Sequence, residues 1–265
     1  MPELPEVETY KRYLDSTSLG QRITEVEVRD PYVLQHVSAR QLGRRLRGRR
    51  LENSHRHGKH LFVRAGDKLW VRLHFGMTGS LEYLKSGVAG PKTARVIFRF
   101  ARNRGLAFDD QRKFGEIELI KDVDEYLHRR GLGPDALNLS LSQFKAVVRG
   151  RRGAVKAGLL NQQVIAGIGN LYADEILFHA RMHPATDVAR LSEDDLRKLF
   201  GTTRSVLEKA IALKTDFNRL PKSWLLTNRG KGGRCPRCGR PLKSATIGGR
   251  TSWFCAHCQK RAAGT

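Results

Sequence analysis

Cysteine is scarce in this chain of 265 residues, and its four cysteines all lie near the C-terminus. A scaffold held by disulfides is excluded, because such scaffolds are short chains with many cysteines. The four residues form two Cys-X-X-Cys pairs on either side of residues 239–254, namely Cys235, Cys238, Cys255 and Cys258. This spacing predicts one tetrahedral zinc site, and four protein ligands leave no open position, so the zinc is expected to be structural. Four unconnected reduced cysteines are the weaker alternative.

Acidic residues are also few, at 26 against 49 lysines and arginines, and the formal net charge is +23. Such a charge favours a polyanionic partner, because neutralising phosphates releases their counterions. Six arginines fall within residues 40–50, and either a solvated face or a phosphate-facing surface explains them. Long apolar runs are absent, and the acidic N-terminus does not resemble a signal peptide. We therefore expect a nucleic-acid partner, no membrane association, and a cytoplasmic, nucleoid-associated protein.

The spacing of apolar residues in the first half of the chain predicts one helix followed by strands. Apolar residues at helical spacing predict a helix that begins near Pro5. Alternating residues then predict two hairpins, one over 60–75 and one over 96–108 with its turn at Asn103-Arg104-Gly105. Residues 1–125 are therefore expected to form an antiparallel β-sandwich with a leading helix.

The second half of the chain is predicted to be helical up to the cysteines. Helix-capping residues and helical spacing predict four helices, over about 140–148, 154–160, 171–180 and 193–213. The chain thus reads as an α+β protein with three domains. The helical domain is expected to span residues 126–228, and a zinc-binding hairpin is expected over residues 229–265.

The N-terminus itself carries a candidate catalytic group. A methionine before a small residue is normally removed, so the mature chain is expected to begin at Pro2. A free α-amino group has a pKa of roughly 7.7–8.0, so it is partly unprotonated near neutrality and able to form a Schiff base. Glu3 lies beside it and is able to move protons. From these residues alone, an amphipathic helix with a disordered tip is the other interpretation.

The segment PELPEVET resembles the opening of the formamidopyrimidine-DNA glycosylase family, which is related to the endonuclease VIII glycosylases. Further segments resemble the family in the same order, and they are HRHGKHLF, HFGMTGSL, DDQRKFGEIEL, GRRGAVKAGLL, QQVIAGIGNLYADEIL and GGRTSWFCAHC. The resemblance spans almost the whole chain. It implies a helix–two-turn–helix domain and a bifunctional DNA glycosylase with abasic-site lyase activity, which acts in base excision repair. The implied partner is damaged double-stranded DNA, bound by a monomer.

The resemblance assigns roles to individual residues. It implies that Pro2 is the nucleophile, that Glu3 is the proton donor, and that Lys59 and Arg250 assist strand cleavage. It further implies six residues that contact DNA, three that fill the gap left by a flipped base and three that bind phosphates: Met77, Arg112, Phe114, Arg152, Lys156 and Asn170. The backbone amides after Asn170 are expected to hold a phosphate at a helix N-terminus. Without the resemblance, Lys59 reads as a surface lysine, and Met77 and Phe114 read as core residues.

Two segments depart from the family pattern. Family members specialised for 8-oxoguanine have a longer loop before the zinc hairpin than residues 214–235 provide. In addition, residues 91–95 stand where the family has a histidine-containing stretch that contacts a phosphate. The first departure leaves open an endonuclease VIII-like preference for oxidised pyrimidines. A non-catalytic zinc-ribbon protein that binds DNA or RNA is the alternative from another class, although it gives no reason for the Pro2-Glu3 start.

Overall fold

The computed structural model describes residues 1–260, whose contacts divide the chain into two compact units. The first unit contains Met1–Pro2 and Glu6–Arg130, and the second contains Glu3–Pro5 and the chain from Gly131 onward. No helix of the described chain is both long enough and apolar enough to cross a membrane.

The described residues form seven α-helices, eleven strands and three short 3-10 helices. The α-helices are α1 Leu4–Thr17, α2 Ala39–Leu46, α3 Val123–Arg129, α4 Leu141–Arg149, α5 Val155–Leu160, α6 Asn170–His179 and α7 Glu193–Ala212. The strands are β1 Ile23–Val28, β2 Leu34–Gln35, β3 Asn53–His57, β4 His60–Arg64, β5 Trp70–His74, β6 Ser80–Leu84, β7 Ala94–Phe100, β8 Arg104–Asp109, β9 Glu116–Ile120, β10 Lys243–Ile247 and β11 Arg250–Phe254. The 3-10 helices are Pro31–Val33, Val188–Arg190 and Phe217–Arg219.

The first unit is a β-sandwich, as predicted. One sheet has the strand order β1-β7-β8-β6, and the other has the order β2-β9-β5-β4-β3, in which only the β2–β9 pair is parallel. Apolar residues of both sheets meet in one buried cluster, and two residues of α1, Val7 and Leu14, pack into it. The sandwich with its leading helix is thereby confirmed.

The two predicted hairpins form, but one turn lies elsewhere. Strands β4 and β5 make the first hairpin, and β7 and β8 make the second. In the second hairpin Gly105 already pairs with Arg99 within the ladder, so the prediction of a turn through Gly105 is wrong. The turn lies before Arg104, where Arg102 and Asn103 take left-handed conformations, with φ of 59° and 53°. Asparagine tolerates this region, which allows the earlier turn.

Helix α2 is a second helix in the first unit, and the sequence analysis did not predict it. Its start was readable from a capping box, in which Ser38 and Gln41 bond reciprocally through side chains and backbone. Leu42 and Leu46 lie one turn apart and are buried in the sandwich core. The arginine run between them hid this short amphipathic pattern.

The helices of the second unit form where the sequence predicts them. Capping boxes at Ser140 and Ser192 begin α4 and α7. The apolar side of α7 is buried in the core of this unit together with residues of α4, α5 and α6. Strands β10 and β11 pair as an antiparallel hairpin in the C-terminal segment.

Two half-buried histidines lie opposite each other on strands β4 and β5. His60 pairs with His74 in the ladder, and their ring centroids lie 5.0 Å apart. Burial lowers the pKa of His74 to about 4, against an opposing effect of Glu116, and burial also lowers the pKa of His60 well below its usual value. Both rings are therefore neutral in the folded protein near neutral pH.

We expect the stability of the protein to fall as the pH drops from about 6.5 towards 4. In this range the unfolded chain takes up protons on these histidines that the folded chain does not, so the free energy of unfolding decreases. For His74 alone, a pKa lowered to about 4 corresponds to on the order of 3 kcal/mol. Urea unfolding at pH 7 and pH 5 should show a smaller loss for His74→Asn than for the wild type. An unchanged loss in the variant would contradict this assignment.

Candidate active site and nucleic-acid interface

The side chain of Glu3 is fixed at the N-terminus of α6. Its carboxylate is 1% exposed and accepts hydrogen bonds from the backbone amides of Gly169, Leu171 and Tyr172, at 2.7, 2.8 and 3.2 Å. The first amides of a helix have no partner within the helix and carry the positive end of its dipole, so they suit a carboxylate. Three backbone amides thus hold the Glu3 carboxylate at this helix end.

Two glycines allow this close approach. A Cβ atom at Gly169 would lie 2.3 Å from the Glu3 carboxyl carbon, and one at Gly167, where φ is +113°, would lie 2.5 Å from a methyl group of Leu4. The backbone N–H of Leu4 also donates to the Gly167 carbonyl, at 3.0 Å. A helix N-terminus is readable here from the sequence, but its partner Glu3 is not. The expectation that these helix amides hold a phosphate is wrong, because Glu3 occupies them.

Pro2 is covalently bonded to this fixed residue. Its side chain is half-buried, whereas Met1 is exposed. Since Glu3 is anchored and α1 begins at Leu4, only the backbone torsions between Pro2 and Glu3 remain to direct the Pro2 nitrogen. Removal of Met1 would therefore leave an amine with little conformational freedom.

Lys59 lies in the tight turn between β3 and β4, after Gly58, whose φ is +55°. Its side chain is half-buried. The charge of Lys59 contributes to the lowered pKa of His74, after burial and Arg72. Lys59 therefore lies at the end of the sheet where His60 and His74 pair.

Three predicted DNA-contacting residues are exposed on two loops of the first unit. Met77 is 41% exposed and Phe114 is 52% exposed. The guanidinium of Arg112 lies over the Phe114 ring, 5.1 Å from its centroid. The interpretation of Met77 and Phe114 as core residues is therefore wrong.

Asp110 ties these two loops together, and sequence analysis missed it. This buried carboxylate accepts from the Thr78 hydroxyl at 2.5 Å, from the Gly115 amide at 2.6 Å and from the Arg112 amide at 3.2 Å. Thr78 follows Met77, and the two amides flank Phe114. A second aspartate directly after a strand was the available signal, since aspartate commonly bonds backbone amides two or more residues ahead.

Lys156 is buried in the second unit and joins three elements. Its ammonium pairs with Asp174 at 2.6 Å and donates to the Asn170 side chain at 2.7 Å and to the Ser252 hydroxyl at 2.6 Å. Burial lowers the pKa of Lys156, while Asp174 acts in the opposite direction. These contacts connect α5, α6 and β11.

Asp174 extends the same network towards the zinc hairpin. Its second oxygen accepts from Arg229 Nε at 3.0 Å and from the Trp253 amide at 3.1 Å. Arg250 begins β11 and is exposed, three residues before Trp253. Arg152 is likewise exposed, in the segment between α4 and α5. The network thus fixes the strand that carries Arg250.

The four cysteines meet the requirements of a zinc site. Their sulfur atoms all lie within 4.8 Å of one another, and two of the sulfur–sulfur distances are 3.9 and 3.6 Å. A tetrahedral site with Zn–S bonds of about 2.3 Å places its sulfurs about 3.8 Å apart. The donor set therefore fits one structural zinc ion, as predicted. Two of its ligands come from the chain before β10 and two from the chain after β11.

Three family models match the chain. They are the formamidopyrimidine-DNA glycosylase N-terminal domain over residues 1–117, its H2TH domain over 123–220, and the zinc finger found in FPG and IleRS over 232–261. The chain belongs to the formamidopyrimidine-DNA glycosylase family. The matched segments follow the order of the three predicted domains, whose boundaries at 125 and 228 stay predictions.

Relatives and solved structures agree with this membership. The formamidopyrimidine-DNA glycosylase of Carboxydothermus hydrogenoformans is 36% identical over 98% of this chain and 100% of its own length. The formamidopyrimidine-DNA glycosylase of Symbiobacterium thermophilum is 33% identical over 98% of this chain and 89% of its own length. The Lactococcus lactis enzyme bound to DNA with an abasic site has a TM-score of 0.88 at 31% identity, with 98% of this chain and 100% of that one covered. A MutM complex with DNA containing carbocyclic 8-oxo-G has the same TM-score of 0.88 and the same identity of 31%, with 98% of this chain and 100% of that one covered.

Family membership decides the class of protein. This formamidopyrimidine-DNA glycosylase family member is a DNA glycosylase of base excision repair with abasic-site lyase activity, and DNA is its partner. The alternative of a non-catalytic zinc-ribbon protein is thereby wrong. The roles predicted for individual site residues stay predictions.

We expect Gly169→Ala to lower single-turnover strand cleavage by about 100-fold, because misplacing a catalytic group by about 1 Å costs that much. The added methyl group collides with the Glu3 carboxyl, while the φ of −124° at this position suits alanine. Binding of undamaged DNA should change less than twofold. Gly201→Ala in α7 is the control, since a Cβ there meets nothing within 4 Å. Equal activity of the two variants would show that the position of Glu3 does not matter.

We expect Asp110→Asn to weaken insertion of the exposed side chains into DNA. The amide nitrogen of asparagine would face an N–H or O–H donor, so one of the two loops is released. The fluorescence of a 2-aminopurine placed opposite the lesion reports this insertion. Its change should be at least about tenfold slower with the variant than with the wild type, in line with the 1–3 kcal/mol cost of an unsatisfied buried group. Gln111→Ala, at an exposed neighbouring side chain, should behave as the wild type. A normal rate in Asp110→Asn would mean that the loops are held by other contacts.

Proposed function

We propose that Pro2 is the nucleophile with which this enzyme excises damaged bases and cuts the strand. The observation that carries the proposal is the anchoring of the adjacent Glu3 by three backbone amides. This anchoring keeps a carboxylate that can move protons next to the amine that removal of Met1 would expose. The enzyme is proposed to act as a monomer on damaged duplex DNA, at the nucleoid.

The first step releases the base. Extrusion of the damaged nucleotide brings its sugar to Pro2. The nitrogen lone pair forms a bond to C1′ while the glycosidic bond breaks. The nitrogen gives up its N–H proton, and the base, which leaves with the electron pair of the broken bond, takes up a proton. The ring oxygen then takes a proton, so the sugar opens and an iminium joins Pro2 to C1′. Glu3 is proposed to move that proton.

The second step cuts the DNA strand by elimination. The iminium withdraws electrons and acidifies the proton on C2′, whose removal expels the 3′ phosphate. A further elimination expels the 5′ phosphate, and water then releases the sugar fragment from Pro2. No oxidant or reductant is consumed. Lys59 and Arg250 are proposed to stabilise the negative charge of the leaving phosphates.

The remaining predicted residues are proposed to hold the distorted DNA. Met77 and Phe114 would replace the stacking of the extruded base, and Arg112 would bond the orphaned base opposite. Arg152 is exposed and would contact a phosphate directly. Lys156 donates to the side chains of Asn170 and Ser252, so a phosphate contact by Lys156 requires exchange of a protein partner for a phosphate oxygen. Asn170 would contact a phosphate through its side-chain N–H groups.

We expect Pro2→Gly to reduce base release and strand cleavage together while DNA affinity changes less than about threefold, because binding is spread over many cations. Borohydride reduction should trap the wild type on damaged DNA, and peptide mapping should locate the adduct on the N-terminal peptide. Mass spectrometry must first show that Met1 is absent. Pro5→Ala, which leaves the amine in place, is the control. An adduct on Lys59, or trapping through a retained Met1, would rule out Pro2.

A preference for pyrimidine lesions is the second candidate, and the segment before the zinc hairpin favours it. Trp224, Leu225 and Leu226 are buried, and the amides of the two leucines donate to the buried carboxylate of Glu175 at 3.1 and 2.7 Å. This part of the chain is therefore committed to packing. Only a short stretch after α7 remains to cover an extruded purine.

We expect activity on abasic sites and on ring-opened or pyrimidine lesions to match or exceed activity on 8-oxoguanine. With few polar groups to bond one base edge, discrimination between bases is weak. Single-turnover rates for these lesions opposite the same normal base test this expectation. A strong preference for 8-oxoguanine would show that another segment reads the base.

A further inference from the structure

Six arginines form an exposed surface on the first unit, which we call the arginine surface. Its members are exposed and lie before β1, in the last turn of α2, and just after α2: Arg22, Arg44, Arg45, Arg47, Arg49 and Arg50. None of these six is among the arginines of the described chain that form ion pairs with acidic side chains. The surface is thus positive without internal compensation.

The arginine surface lies at the opposite end of its sheet from the loops of Met77 and Phe114. Ile23 exchanges hydrogen bonds with the backbone of residues 48–49 and pairs with Phe100, which pairs with Arg104 at the start of β8. The Met77 and Phe114 loops join β6 and β8 at their other end, where Ser80 pairs with Asp109. Five strand residues separate the two ends, about 17 Å at 3.3–3.4 Å per residue.

Part of the arginine surface is also preorganised. The Arg22 guanidinium donates to the Gly48 carbonyl at 2.6 Å, and the Arg50 guanidinium donates to the Gly20 carbonyl at 2.8 Å. Helix-dipole stabilisation accounts for basic residues in the last turn of α2, but it falls off within that turn and does not account for Arg22, Arg49 or Arg50. Crowded like charges destabilise a fold, so an anionic partner is the physical reason for keeping them.

We propose that the arginine surface binds the phosphate backbone of a second DNA segment, distinct from the segment that carries the lesion. Guanidinium groups bind phosphates through paired hydrogen bonds and keep their charge at any physiological pH. The partner of this enzyme is duplex DNA, which supplies the phosphates in repeating array. Holding two segments at once lets the enzyme pass directly from one to the other without first dissociating.

Direct transfer is measured by the rate at which a labelled duplex leaves the enzyme as competitor DNA is raised. The labelled duplex has about 15 base pairs and carries an uncleavable abasic-site analogue. It is about 50 Å long, so it is expected to occupy the lesion-binding site and not the arginine surface at the same time. For the wild type, the dissociation rate should increase with the concentration of undamaged duplex. The variant Arg44→Gln/Arg45→Gln/Arg47→Gln should lose at least about three quarters of this increase. These three side chains are exposed and make no described contact, so the fold is preserved.

Two matched variants separate position from total charge. Arg44→Lys/Arg45→Lys/Arg47→Lys keeps the charge and should retain most of the competitor effect. Lys85→Gln/Lys92→Gln/Lys121→Gln removes the same charge from exposed lysines of the same unit and should behave as the wild type. Raising the salt concentration should suppress transfer. When the logarithm of the binding constant for the second duplex is plotted against the logarithm of the salt concentration, the slope should be smaller in the glutamine variant by up to about 2.7, at 0.9 per lost phosphate contact.

Single-turnover cleavage of the short lesion duplex distinguishes this proposal from the proposal that Pro2 is the nucleophile. The glutamine variant should cleave that duplex at the wild-type rate, whereas a failure of the Pro2 mechanism would abolish cleavage without affecting transfer. Three results would overturn the proposal: an unchanged competitor effect in the glutamine variant, an equal loss in the lysine control, or a parallel loss of cleavage, which would place these arginines on the lesion-bearing segment. Acceleration by RNA but not by duplex DNA would overturn it as well.

Discussion

The placement of the first residues of the chain depends on one interaction, the bonding of the Glu3 carboxylate to the first amides of α6. A carboxylate buried without such donors would be strongly disfavoured, whereas three amides and a helix dipole together compensate its desolvation. Two glycines, Gly167 and Gly169, remove the side chains that would prevent the approach. Pro2, the proposed nucleophile, is thus bonded to a residue that is anchored within the helical unit.

The helical unit also positions the zinc hairpin. The ion pair between Lys156 and Asp174 is fully buried, and such a pair is costly unless its remaining hydrogen-bonding capacity is satisfied. Partners for that purpose come from α6 and from β11. Zinc closes the hairpin at its base, and this network holds its strand against the helices. Arg250 therefore stands on an element fixed at two places.

The sequence was sufficient for whatever depends on spacing along the chain. The hairpin over 60–75, helix α7 and the four cysteines all follow from periodicity or motif, and the structure confirms each. It was insufficient where the partner is distant in sequence. Glu3 and Gly169 are 166 residues apart, and no local pattern marks one as the ligand of the other. Helix α2 was missed for a different reason, because its arginines obscured two buried leucines.

The clamp formed by Asp110 has a consequence for the entropy of DNA binding. Met77, Arg112 and Phe114 stand on loops whose backbones are joined by one carboxylate before any DNA arrives. Ordering a free loop during association would subtract directly from the affinity. Here that ordering is completed when the protein folds. If these side chains insert into DNA as proposed, probing of a base pair requires only the DNA to deform, and the stacking strength of each base step decides how often they enter.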